Sequence, residues 1–122
     1  MSSTYHEPSQ ELPPEVRDTH RALASLIEEL EAIDWYNQRA SLTTDPELKE
    51  IVQHNRDEEI EHAAMALEWL RRRIPKFDEE LKTYLFSSGP ITEIEEALAK
   101  EPAENDAPAP GSLGIGSLRK ES

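Results

Sequence analysis

The chain has 122 residues, a formal net charge of −13 and no cysteine, and these values argue against several classes of protein. Such an acidic chain cannot neutralise phosphate groups, so we expect neither nucleic acid nor an anionic membrane as a partner. Without cysteine there is no disulfide and no zinc–thiolate site, and without a signal peptide or a membrane-length apolar run we expect a cytoplasmic protein.

Residues 1–12 show no periodic pattern and are predicted to form a flexible N-terminal arm. From Pro13 onwards, apolar residues recur at spacings of three, four and seven, which is typical of one face of a helix. This pattern continues to about Leu42 and predicts a long first helix. The two prolines at its start suit a first helical turn, where the missing N–H group is harmless.

A second long helix is predicted after a short break. Asp45 is a favourable N-cap, Pro46 suits the first helical position, and Pro75 ends the pattern. Because so few residues join the two helices, they should form an antiparallel hairpin. Shorter amphipathic segments follow, one just after Pro75 and one over residues 91–100. The predicted fold class is all-α, a two-helix hairpin plus a short C-terminal helix, within a domain of residues 13–100.

The composition changes after residue 100. Residues 101–112 are rich in proline and alanine and indicate an extended linker. Residues 113–122 regain spaced apolar side chains, at Leu113, Ile115 and Leu118. A short apolar segment beyond a linker is either a docking peptide or a frayed terminus, and composition does not choose between them.

Two residues of the second predicted helix, Glu59 and His62, indicate a metal site. They are three residues apart, so their side chains project from the same side of the helix, within its apolar stripe. Ionisable groups are costly there unless they are paired or bind a metal. On its own the pair is weak evidence and is more typical of a solvated acidic face. Glu29, at the edge of the apolar face of the first helix, supplies a second carboxylate and favours the metal site.

These residues are only half of a di-metal centre. A helix bundle of this kind takes a glutamate from each of two helices and a Glu-x-x-His pair from each of two others. One chain has one of each. Since only 36% of its residues are hydrophobic, it also has little with which to build its own core. We therefore predict a site formed between two chains related by a two-fold axis.

Further acidic and aromatic residues surround Glu29 in the sequence. Glu28 and Glu31 lie on other faces of the first helix, where they form either a solvated acidic surface or an approach that attracts cations. Trp35 and Tyr36 are expected to pack in an interface. His54 is four residues before Glu58 and is predicted to pair with it structurally.

Residues 28–36, 54–59, 61–65 and 84–86 together resemble the encapsulated ferritins, ferritin-like proteins that are packed inside encapsulin nanocompartments, whereas Ile60 departs from the charged residue expected there. The resemblance covers about residues 15–100. It implies a ferroxidase that oxidises Fe²⁺ with O₂ at a di-iron site, with two ions per dimer interface. Glu29, Glu59 and His62 match the ferroxidase ligands, Glu28, Glu31 and Trp35 match a second metal site near the entry path, and Tyr36 matches a tyrosine close to the centre.

The resemblance also implies an assembly and a location. Dimers would complete a four-helix ferritin-like bundle and join into a ring, a decamer, that encloses no mineral cavity. The encapsulin shell would supply the storage volume, and the last residues, 113–122, resemble the peptide that docks to that shell. The protein would then lie in an encapsulin nanocompartment in the cytoplasm.

Two other functions fit the same residues. One is a non-enzymatic acidic helical assembly module in which the metal is structural. The other is a di-manganese protein that disproportionates peroxide. Carboxylate and imidazole ligands suit iron, manganese and zinc alike, so ligand type does not choose among these functions.

Overall fold

The computed structural model describes residues 4–99. Within that range the chain forms a short 3-10 helix, Ser9–Glu11, and four α-helices, which are α1 (Pro14–Leu42), α2 (Pro46–Arg73), α3 (Pro75–Tyr84) and α4 (Ile91–Ala99). The described residues contain no strand, so the all-α class predicted from the sequence is confirmed. In this part of the chain no helix combines the length and the apolar character needed to cross a membrane.

The long helices α1 and α2 form the predicted hairpin. The Arg56 guanidinium of α2 donates a hydrogen bond to Asn37 of α1 at 3.0 Å, and His62 lies 3.7 Å from Glu29. As the residue number increases along α2, the number of the residue that it contacts on α1 decreases. The two helices are therefore antiparallel. The hairpin belongs to a compact unit that ends at Ile74.

The turn between α1 and α2 is fixed by local hydrogen bonds. Asp45 is the N-cap of α2, and its carboxylate accepts a hydrogen bond from the Leu48 N–H at 2.8 Å. Pro46 occupies the first helical position as predicted. At the end of α1, the Thr43 N–H donates to the Arg39 carbonyl. These bonds satisfy helix-end groups that would otherwise lack partners, and they start α2 directly after the turn.

Few side chains of the hairpin are buried. Its buried apolar residues in the described range are Ala40, Val52, Ala63 and Leu70. Large apolar side chains of both long helices stay about half exposed, among them Leu30 at 53%, Ile51 at 52% and Met65 at 58%. The apolar stripe that the sequence predicts is therefore present, but one hairpin covers only part of it.

The shorter helices α3 and α4 belong to a second unit that begins at Pro75. On α3, Lys76 pairs with Glu80 at 2.9 Å and Lys82 pairs with Asp78 at 3.0 Å. Phe86, with φ 62°, and Gly89, with φ 86°, adopt left-handed backbone conformations between the two helices. The helices predicted after Pro75 and over residues 91–100 are thus both present, and α4 ends at Ala99.

Candidate metal centre

Three side chains with metal-ligating atoms meet between α1 and α2. His62 Nδ1 lies 3.5 Å from a carboxylate oxygen of Glu59, one turn earlier on α2, and 3.7 Å from a carboxylate oxygen of Glu29 on α1. One ligand atom from each residue lies within 4.8 Å of the other two. The helical spacing of three sets the Glu59–His62 pair, whereas the antiparallel packing brings in Glu29.

Glu59 perturbs the titration of Glu29 in this cluster. The pKa of Glu29 is raised above 4.5, chiefly because it shares a hydrogen bond with Glu59, and also because burial and the negative charge of Glu59 disfavour its ionised form. His62 opposes this shift. In the absence of a metal, the crowding of the two carboxyl groups thus makes Glu29 easier to protonate than an ordinary glutamate.

The donor atoms suit a divalent cation. Two carboxylate oxygens and one imidazole nitrogen are ligands that iron, manganese and zinc all accept. A cation placed among them would neutralise the repulsion between the two carboxylates. The cluster is also partly exposed to solvent, since the side chains of Glu29 and Glu59 are each 25% exposed and that of His62 is 42% exposed.

A third carboxylate lies on the other side of the His62 ring. Glu58 Oε1 is 3.9 Å from His62 Nε2, while Glu58 Oε2 is 3.8 Å from His54 Nε2. The pairing of His54 with Glu58 that the sequence predicts is therefore present. The contact of Glu58 with His62 was missed, although the spacing of four residues between them is the same signal.

The other predicted site residues lie outside this cluster. Glu28 is exposed, Glu31 is half-buried, and the side chain of Trp35 is 53% exposed. Tyr36 is half-buried, and the Arg39 guanidinium lies over its ring at 5.1 Å. A metal role for Glu28 and Glu31 stays a prediction, as does the ligand role of the three clustered residues.

The segment before α1 contacts that helix, and the predicted docking peptide lies outside the described residues. His20 of α1, for which the sequence suggests no partner, stacks against Tyr5 with ring centroids 4.0 Å apart. The linker over residues 101–112 and the apolar residues Leu113, Ile115 and Leu118 lie outside the described residues.

Proteins from several bacteria resemble this chain. The EncFtn-like family matches residues 4–88. A relative from Rhodospirillum rubrum, called encapsulated ferritin-like protein, is 55% identical over 98% of this chain and 91% of its own length. The encapsulin nanocompartment cargo protein EncC of Myxococcus xanthus is 36% identical over 89% of this chain and 92% of its own length. A crystal structure of protein ne0167 from Nitrosomonas europaea shares 64% identity with a TM-score of 0.70, and the match covers 71% of this chain and 96% of that one.

Proposed function

Because this chain belongs to the EncFtn-like family of encapsulated ferritins, we propose that it is a ferroxidase that oxidises Fe²⁺ to Fe³⁺ with O₂. The observation that carries the proposal is the cluster of Glu29, Glu59 and His62, whose ligand atoms lie within 4.8 Å of one another. Family membership supports a ferritin-like role, and the cluster supplies residues that could perform it.

Iron is the substrate of the proposed reaction. The two carboxylates bind Fe²⁺, and because anionic oxygen ligands stabilise Fe³⁺ more strongly, they favour its oxidation. Each Fe²⁺ gives one electron to O₂. The ligands must be deprotonated to bind, and because the pKa of Glu29 is raised, Fe²⁺ competes with protons more strongly there than at an ordinary glutamate. His62 contributes a neutral nitrogen, which leaves the negative charge of the site on the carboxylates.

A second copy of the chain would complete the centre. One hairpin provides one glutamate from α1 and one Glu-x-x-His pair from α2, which is half of the ligand set of a di-iron helix bundle. The partial exposure of the cluster and the exposed apolar residues of both long helices support a partner chain packed against the hairpin. Two chains related by a two-fold axis would form a four-helix bundle around two iron ions. Such dimers would join into a decameric ring.

Iron binding should also favour this dimer. Each chain has a formal net charge of −13, so two copies repel each other at the site unless cations neutralise the carboxylates that meet there. The chain is therefore expected to shift towards dimers and larger assemblies when Fe²⁺ is added without O₂. Size-exclusion chromatography with light scattering, run with and without Fe²⁺ under nitrogen, measures this shift.

The rate of Fe²⁺ oxidation tests the proposed activity. We would add Fe²⁺ in air to the wild type, to Glu59→Ala, and to Glu50→Ala as a control, and follow Fe³⁺ absorbance and O₂ uptake. Glu50 is an exposed carboxylate on the same helix, so its substitution removes the same charge away from the cluster. Fast oxidation is expected in the wild type and the control but not in Glu59→Ala.

Other results of this experiment would point elsewhere. Equal rates for all three proteins would refute the ferroxidase assignment and leave a structural metal in a helical assembly module. Peroxide consumption by a manganese-loaded protein, with slow oxidation of Fe²⁺, would indicate the di-manganese function. The ratio of Fe²⁺ oxidised to O₂ consumed distinguishes peroxide from water as the reduced product.

The apolar residues at the end of the chain are proposed to dock the protein to an encapsulin shell. The relatives named as encapsulated and as encapsulin cargo support this role. The protein would then deliver Fe³⁺ for mineral storage in a nanocompartment in the cytoplasm. Truncation after residue 112 should abolish loading into co-expressed shells while leaving Fe²⁺ oxidation unchanged. Normal loading of the truncated protein would contradict the docking role.

A further inference from the structure

We propose that Glu58 is a positioning residue that holds the His62 ring in the tautomer with its proton on Nε2. In that tautomer the Nδ1 lone pair is free to bind metal. The inference rests on the proposed metal-binding role of Glu29, Glu59 and His62. Glu58 is not one of the proposed ligands. It faces Nε2 of the His62 ring, whereas Glu29 and Glu59 face Nδ1.

The geometry places carboxylates at both nitrogens of the His62 ring. Nδ1 faces Glu59 at 3.5 Å and Glu29 at 3.7 Å, whereas Nε2 faces Glu58 at 3.9 Å. Glu58 is therefore the carboxylate that can accept a hydrogen bond from the Nε2–H group. That bond leaves the Nδ1 lone pair free for a metal. Its distance is that of an ion pair, and we expect it to shorten to hydrogen-bond length when a metal fixes the ring, since such bonds tighten in the loaded site.

The two sides of the ring compete for its proton. A neutral imidazole has one N–H and one lone pair, and a nearby carboxylate favours the N–H on the side that faces it. Two carboxylates at Nδ1 favour a proton on that nitrogen, where it would block metal binding. Glu58 opposes this preference from Nε2. A histidine that binds metal usually donates its other N–H to a carboxylate or carbonyl, which also makes the ligand nitrogen more basic.

The helix itself brings Glu58 to the ring. Glu58 is four residues before His62 and four residues after His54, so all three side chains lie along one line of α2. The second oxygen of Glu58 faces His54 Nε2 at 3.8 Å, which leaves Oε1 on the His62 side. Glu58 thus needs no contact from another helix to reach the ring.

Nitrogen NMR of the metal-free protein tests the inference directly. We would label histidine with ¹⁵N and record ring signals at about pH 8.5, where an ordinary imidazole is neutral. The signals of His62 are those lost in a His62→Ala variant. Wild-type protein should show mainly the Nε2–H tautomer, and Glu58→Ala should shift the population towards Nδ1–H. Glu58→Gln retains an acceptor oxygen of the same reach and should shift it less.

Metal affinity gives a second readout that does not depend on oxidation. We would titrate the full chain with Co²⁺ and follow its visible absorbance. Loss of a residue that orients a metal-binding histidine typically weakens binding by about 10-fold to 100-fold, and we expect this range for Glu58→Ala. Glu50→Ala, which removes one negative charge elsewhere on α2, should change Co²⁺ affinity by less than about 2-fold, as expected for a screened surface charge.

The outcomes separate this inference from the proposed function. An unchanged His62 tautomer in both Glu58 variants would overturn the inference, and so would an affinity loss in Glu50→Ala as large as that in Glu58→Ala. If wild-type protein binds Co²⁺ but does not oxidise Fe²⁺, the ferroxidase proposal fails and the positioning role is still decided by these measurements. If wild-type protein binds no Co²⁺, the metal-site proposal fails and the ring signals alone decide the tautomer.

Discussion

Replacing Glu29 with glutamine should stabilise the metal-free protein at neutral pH, even though it removes a proposed iron ligand. In the wild type, the carboxylates of Glu29 and Glu59 lie within 4.8 Å of each other and of His62. The crowding is strong enough to raise the pKa of Glu29, mainly through the hydrogen bond that it shares with Glu59. A glutamine amide would donate a hydrogen bond to Glu59 without adding negative charge.

The distance sets the size of the effect. Two unit charges at the outer limit of 4.8 Å repel by about 0.9 kcal/mol in a water-like dielectric and by about 3.5 kcal/mol at an effective dielectric constant of about 20, and a shorter separation would increase both values. Both side chains are 25% exposed, and His62 offsets part of the repulsion, so we take the lower value. An increase of about 1 kcal/mol in the free energy of unfolding corresponds to a rise in melting temperature of about 4–8 °C for a domain of this size.

Thermal unfolding at pH 7 measures this prediction. Glu28→Gln is the matched control in metal-free protein, because Glu28 is the exposed neighbour on α1 and its substitution removes the same charge. The melting temperature should rise clearly in Glu29→Gln and little in Glu28→Gln. Adding Co²⁺ should then raise the melting temperature of the wild type much more than that of Glu29→Gln, since only the wild type has all three ligands.

The reasoning would be refuted by a lower melting temperature in metal-free Glu29→Gln than in the wild type. Such a result would mean that the two carboxylates do not destabilise each other in the wild type. An equal rise in Glu28→Gln would also refute it, because the gain would then come from the overall negative charge of the chain instead of from the cluster.

Three further predictions concern the stability of the hairpin and of the end of α2. Asp45→Ala removes the N-cap of α2 and should lower the free energy of unfolding by about 1 kcal/mol in urea titrations, whereas Asp45→Ser should retain most of it. Leu70→Ala, at a fully buried position, should cost about 2–5 kcal/mol, and a loss below 1 kcal/mol would contradict this burial. Arg71 and Arg72 lower the pKa of Glu68 to about 2, so the stabilisation by this carboxylate is present above the ordinary value of 4.5 and is lost as pH falls towards 2. Melting temperatures of wild type and Glu68→Gln should therefore differ at pH 7, more at low salt than at high salt, and converge near pH 2.

The helices could be predicted from the sequence because their signals are local. The spacing of apolar residues, the N-cap at Asp45 and the prolines at positions 46 and 75 act within one or two turns, and the structure has helix boundaries at those places. The pairs Glu59–His62 and His54–Glu58 were predictable for the same reason. The contact between Glu58 and His62 has an equally local signal.

The exposure of the apolar stripe could not be predicted in the same way. The pattern of Leu30 and Ile51 shows that these residues share a face with buried ones, but it does not show how much of that face a neighbouring helix covers. In the structure both remain about half exposed. Burial depends on how much of the stripe the neighbouring helix covers, and here part of the stripe remains exposed.

The sequence by itself determined an all-α hairpin, a carboxylate–imidazole pair one turn apart on α2, and a candidate carboxylate at the apolar edge of α1. Only the tertiary structure decided that Glu29 lies 3.7 Å from His62, that Glu59 raises the pKa of Glu29, and that the side chains of the cluster remain partly exposed. Contacts within a helix follow from its fixed geometry, whereas contacts between helices depend on how α1 and α2 slide and rotate against each other. That register is set by the packing of the whole hairpin, including the hydrogen bond from Arg56 to Asn37.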